Sequence, residues 1–101
     1  MELRPGVAIG ADDLATFAAR YGARRLAAFG SVLRPDFTDE GDVDLLVEFE
    51  VGRTPGLLTI AAMEIELGAL LGREVDLRTF NDLSRYFRDT VAAAAKDLYA
   101  A

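Results

Sequence analysis

The chain has 101 residues, 51% of them hydrophobic and 28% charged, with a formal net charge of −6 and neither His nor Cys. That length accommodates one hydrophobic core, so residues 1–101 are read as a single domain of ordinary globular composition. The missing His and Cys exclude disulfides, thiolate chemistry and imidazole as base, nucleophile or ligand, and the acidic balance disfavours nonspecific nucleic-acid binding, which needs a basic footprint.

No run of about 18 apolar residues suggests a membrane span, and the start Met1-Glu2-Leu3-Arg4-Pro5 does not read as a signal peptide. A cytoplasmic protein is therefore expected. Residues 1–10, with Pro5, Gly6 and Gly10, read as an irregular lead-in. Leu14, Phe17, Ala18 and Tyr21 follow the helical template, with Asp12 or Asp13 as cap and Gly22 as stop. Leu26-Ala27-Ala28-Phe29 is short and apolar and reads as a buried strand closed by Gly30-Ser31. Residues 34–41 are rich in turn formers. Val43 to Phe49 is predicted as a strand with Val43, Leu45, Val47 and Phe49 on one face.

Thr54 as cap and Pro55 at the first helical position are expected to open a helix running to Leu71-Gly72. Glu64 and Glu66 are its only charges, so it is either deeply buried or meets a partner or a second copy. Residues 73–78 read as a third strand. A last helix, capped by Asn81 or Asp82, is predicted through Tyr99. Alternating short strands and helices make an α/β domain with helices packed on a small mixed sheet.

Chemistry concentrates at three places. Gly30-Ser31 is followed, after the ten residues 32–41, by Asp42 and Asp44, which alternation projects together from the start of an apolar strand. Like charges that close repel, and half-burying them uncompensated is costly, so a cation is the natural reason to keep them. With only oxygen donors available, the cation expected is magnesium rather than zinc. Asp76 lies between Val75 and Leu77; it is either a third ligand or a strand-edge ion-pair partner of Arg73 or Arg78. Gly30 lets the backbone approach a phosphate and Ser31 offers its N–H and hydroxyl, although such a pair is also a common turn. Arg34 is either a phosphate clamp or a solvated charge. Asp36, Asp39 and Glu40 are read as solvated loop charges, and Tyr86, Phe87 and Tyr99 as core packing rather than a base-stacking platform.

Taken together, Gly30-Ser31, the ten-residue gap, Asp42-Val43-Asp44, the run Leu45 to Phe49, Arg73 to Leu77 and the closing Leu98-Tyr99 resemble the minimal nucleotidyltransferases of the DNA polymerase beta-like superfamily. The resemblance implies that Asp42, Asp44 and Asp76 are catalytic and bind two Mg²⁺ ions, and that Gly30, Ser31 and Arg34 meet the phosphates of ATP or another nucleoside triphosphate. It also implies transfer of AMP to a hydroxyl, with a Tyr, Ser or Thr of a helical HEPN-type toxin as acceptor and an antitoxin role. Two alternatives stand beside it: a non-catalytic module that neutralises a toxin by contact, and a small-molecule (antibiotic) nucleotidyltransferase. Departures from the pattern are Gly41, where a Ser commonly precedes the first Asp, and Leu33-Arg34-Pro35 in place of an Arg-Gly.

Overall fold

The computed structural model describes residues 2–4, 7–38 and 41–101. A short antiparallel hairpin, β1 (Glu2–Arg4) and β2 (Val7–Ala8), precedes α1 (Ala11–Tyr21), β3 (Ala23–Phe29), a 3-10 turn (Gly30–Leu33) and β4 (Val43–Phe49). Then come α2 (Leu57–Leu71), β5 (Val75–Thr79), a 3-10 turn (Phe80–Asp82), α3 (Arg88–Ala94) and β6 (Lys96–Ala100). The main sheet runs in the order β5-β4-β3-β6; β3 is antiparallel to β4 and β6, and β4 is parallel to β5. The predicted mixed α/β architecture is the one the chain adopts.

The sheet's two faces follow from strand alternation. Leu26 and Ala28 of β3, Val43, Leu45 and Val47 of β4 and Leu77 of β5 pack with Leu14 and Phe17 of α1 and with Met63 and Leu67 of α2. Both helices therefore cover the same face. The opposite face alternates in sign and polarity: it carries Asp44, Leu46 and Glu48 of β4 beside Asp76 and Arg78 of β5. Ala27 and Leu46 are its fully buried members. Arg25 crosses it to donate to the Ala92 carbonyl at 3.2 Å, which ties α3 over that end of the sheet.

Several expectations are corrected. Residues 2–4 and 7–8 form strands instead of an irregular lead-in, while Pro5 and Gly6 lie outside the described residues, as do Asp39 and Glu40. Burial of Val7 and Ile9 in the core gives the hairpin its anchor. The N-cap of α1 is Gly10, with Asp12 and Asp13 inside the first turn, where carboxylates favour the helix dipole. Its stop at Gly22 is as expected. α2 starts at Leu57 behind Gly56, so Thr54 and Pro55 precede the helix.

The last predicted helix divides. Asp82 turns back to accept the Thr79 N–H at 3.0 Å in a capping box around the 3-10 turn, and only Arg88–Ala94 is α-helical. Leu98 and Tyr99 belong to β6. β3 would otherwise expose an unpaired edge, and pairing with residues 96–100 satisfies that edge while burying Leu98.

α2 also has a divided environment. Met63, Leu67 and Leu71 are buried, whereas Leu57, Leu58 and Ile65 are 86%, 89% and 76% exposed and Ala61, Ala62 and Ala69 are open to solvent. The helix packs one stripe on the sheet and leaves a second apolar stripe outside. Tyr86 and Phe87, expected in the core, are exposed; Tyr99 packs against the core as expected. Among the described residues no helix is long and apolar enough to cross a membrane.

Candidate active site

The site forms where the C-terminal end of β3 meets the N-terminal ends of β4 and β5. Phe29 pairs with Asp44, and Asp44 pairs with Asp76 across the parallel ladder. Neighbouring strands stand about 4.8 Å apart, so the two carboxylates rise side by side from the polar face. Chain separation conceals this proximity. The β4–α2–β5 crossover creates it.

Gly30 has φ of +75°, a backbone conformation that L side chains rarely adopt. A Cβ there would also stand 2.7 Å from Asp44 Oδ2, so the Asp44 carboxylate lies directly over the turn. Ser31 follows, half-buried, in the 3-10 turn, whose end is closed by the Arg34 N–H donating to the Ser31 carbonyl at 3.0 Å. The Gly30 backbone and the second Asp thus approach each other closely. Asp42 is exposed just ahead of β4.

Burial is the first cause that pushes the Asp44 carboxyl above its ordinary range; Asp76 and Asp42 push the same way and Arg78 opposes them. The three carboxylates therefore share one electrostatic neighbourhood. Among the described residues, no three of them are gathered closely enough to form a ready metal cage. The predicted convergence on one point is thus incomplete in this geometry. The donor set, carboxylate oxygens on one face beside a backbone turn, fits a hard divalent cation in chemical type.

Neither cation considered as an ion-pair partner of Asp76 forms that pair. Arg73 donates to the carbonyls of Thr38 at 3.1 Å and Gly41 at 3.0 Å, and its guanidinium lies 4.8 Å from the centre of the Phe37 ring. It braces the loop that delivers Asp42. The same loop accounts for Gly41: a Cβ at that position would meet Phe37 Cε1 at 2.6 Å, so a Ser there would require the ring to move. Arg78 shares the polar face with Asp76, is exposed, and acts through its field on Asp44. It is the cation that sequence reasoning overlooked as part of the site, although the i, i+2 spacing from Asp76 was readable. Arg34 pairs with the nearby Asp36 at 3.4 Å, both exposed, as a loop charge does.

Residues 14–98 match the family model described as a nucleotidyltransferase domain. The chain belongs to that family and is an enzyme of the nucleotidyltransferase class. A candidate protein adenylyltransferase of Methanocaldococcus jannaschii is 34% identical over 79 residues, covering 78% of this chain and 83% of that protein. The protein adenylyltransferase MntA of Thermococcus cleftensis is 40% identical over 72 residues, 71% of each chain. Among solved structures, a candidate minimal nucleotidyltransferase superposes with a TM-score of 0.67 at 39% identity, covering 83% of this chain and 84% of that one. A toxin–antitoxin structure with AMP-PNP shares the fold with a TM-score of 0.70 at 17% identity, over 89% of this chain and 73% of that chain.

Proposed function

We propose that this domain moves AMP from ATP to a hydroxyl on a helical HEPN-type partner protein and so acts as an antitoxin. The observation that carries the reading is the placement of Asp44 beside Asp76 and against the Gly30 turn, at one end of the polar sheet face. The identity with protein adenylyltransferases supports adenylyl transfer to protein, and the fold shared with toxin–antitoxin structures supports the kind of partner. The solvent-facing stripe Leu58, Ala61, Ala62, Ile65 and Ala69 on α2 is apolar surface of the kind a protein partner covers.

In this reading Gly30 and Ser31 hold the triphosphate through close backbone approach, and Arg34 reaches it from the loop. Asp42, Asp44 and Asp76 would hold two Mg²⁺ ions, which would supply charge stabilisation to the displacement at phosphorus. Asp76 accepts the proton of the incoming hydroxyl. That oxygen bonds to the α-phosphorus, the α–β bridging bond breaks, and pyrophosphate leaves.

Incubation with ATP, Mg²⁺ and a co-purified partner, read by mass spectrometry, tests the proposal. The expected result is a partner carrying added AMP, lost with Asp76→Asn. Toxin neutralisation without any AMP transfer would instead identify a binding module. Transfer to a small-molecule hydroxyl with no labelled protein would identify a small-molecule enzyme.

A further inference from the structure

β5 is an edge strand, bonded to β4 on one side only. In a parallel ladder alternate residues turn their N–H and C=O groups away from the neighbouring strand. Val43 N donates to the Glu74 carbonyl at 2.9 Å, so residues 75, 77 and 79 direct theirs to the free edge. Carboxylates of the chain itself take two of those outward N–H groups: Leu77 N donates to Glu64 Oε2 at 2.7 Å and Thr79 N to Asp82 Oδ2 at 3.0 Å.

Glu64 is an unusual residue where it stands. Apart from Glu66, which pairs with Arg20, α2 carries no other charge. Glu64 is half-buried and makes no ion pair among the described residues. A partly desolvated carboxylate with no cation is costly unless its hydrogen bonds repay it. The bond it makes grips the edge strand one residue beyond Asp76.

We propose that Glu64 is a positioning residue for Asp76: by accepting the Leu77 N–H it clamps the outer side of β5 and holds the Asp76 carboxylate in line with Asp44. The role rests on the nucleotidyl-transfer reading above. β4 holds β5 from one side only, so the strand needs a second contact to resist sliding or peeling at the carboxylate. A misplacement of about 1 Å in a reacting group can cost about 10²-fold in rate.

The test is steady-state AMP transfer by the full chain carrying Glu64→Ala, Glu64→Gln or Asp82→Ala. Glu64→Ala should lower kcat at least tenfold with KM for ATP within twofold, because Gly30 and Ser31 lie in the turn after β3 and Asp44 on β4, none of them on β5. Glu64→Gln keeps a carbonyl acceptor and should regain most of kcat. Asp82→Ala uncaps the same edge at Thr79, away from the carboxylates, and should leave kcat within twofold. Amide exchange at Leu77 should quicken in Glu64→Ala alone while the other strand amides stay protected, which separates a local release from global destabilisation. Unchanged kcat in Glu64→Ala, equal losses in Glu64→Ala and Asp82→Ala, or no recovery with Gln overturns the role. A wild-type chain with no transfer activity overturns the function itself and this role with it; an active wild type beside an unimpaired Glu64→Ala overturns the role alone.

Discussion

Asp44 and Glu48 stand four residues apart on the same face of β4, and the fold treats their carboxylates in opposite ways. Glu48 is bracketed by Arg24 at 2.8 Å and Arg25 at 2.9 Å, and Arg25 also donates to Asp97 at 2.6 Å. The hydrogen bond from Arg25 is the first cause that holds the Glu48 carboxyl below its usual range. Asp44 instead lies against Gly30 with Asp76 alongside, and burial with like charge drives its carboxyl the other way. One end of the face is electrostatically closed and fastens β6 and α3 to the sheet. The other carries carboxylates that burial and like charge disfavour, an imbalance that a cation would offset under the proposed function. Perturbed carboxylates of the second kind are the ones that collect at functional sites.

The contrast can be broken most strongly at Asp44. Asp44→Asn should reduce nucleotidyl transfer by about 10²-fold or more and at the same time raise Tm, because the charge that the fold disfavours is gone. Transfer assays and thermal unfolding read the two effects together, and a lowered Tm would erase the distinction between the ends.

At the closed end, Arg25→Ala strips Glu48, Asp97 and the Ala92 carbonyl of their shared donor. Its cost should be about 2 to 3 kcal/mol in urea unfolding, with KM for ATP unaffected. A loss under about 0.5 kcal/mol would mean that the network is surface decoration.

Acid titration sharpens the same contrast more gently. The folded-state pKa of Glu48 lies below the ordinary 4.5, so its contribution is fully present above pH 4.5 and is lost as pH falls through the lower folded value. Asp44 has the opposite sign: its folded pKa is above 3.8, so protonation relieves the fold as pH falls through the raised value. Urea midpoints of the wild type should therefore decline below about pH 4.5, and Arg25→Ala should flatten that decline while Asp44→Asn steepens it. Parallel curves for all three proteins would contradict the assignment.

Smallest of all is Arg34→Ala. Its partner Asp36 and Arg34 itself are both exposed, so stability should move by less than about 0.5 kcal/mol. Any rise in KM for ATP then reports phosphate contact directly, without a folding term.

Alternation was the most legible code in this chain. Val43–Phe49 is the strand its pattern describes, because residues with a two-residue apolar period can bury only one face of a pleated strand. Gly22 ended α1 for an equally local reason, whereas of the two carboxylates expected at the strand's start only Asp44 lies in β4 and Asp42 stands just ahead of it. The C-terminal segment misled because Tyr86, Phe87, Val91, Ala94 and Leu98 satisfy a helical template, while the deciding fact was the open edge of β3 some seventy positions earlier.

The sequence by itself determined which residues could do chemistry: in a chain without His or Cys, the carboxylates and one glycine-hinged turn were the available materials. Only the tertiary structure decided how they meet. The parallel pairing of β4 with β5 set Asp44 beside Asp76, the close approach of that carboxylate required Gly30 to lack a side chain, and a glutamate from α2 closed the edge next to Asp76. Local pattern reports which face a side chain takes, whereas register between distant strands depends on burial and hydrogen bonding summed over the whole sheet.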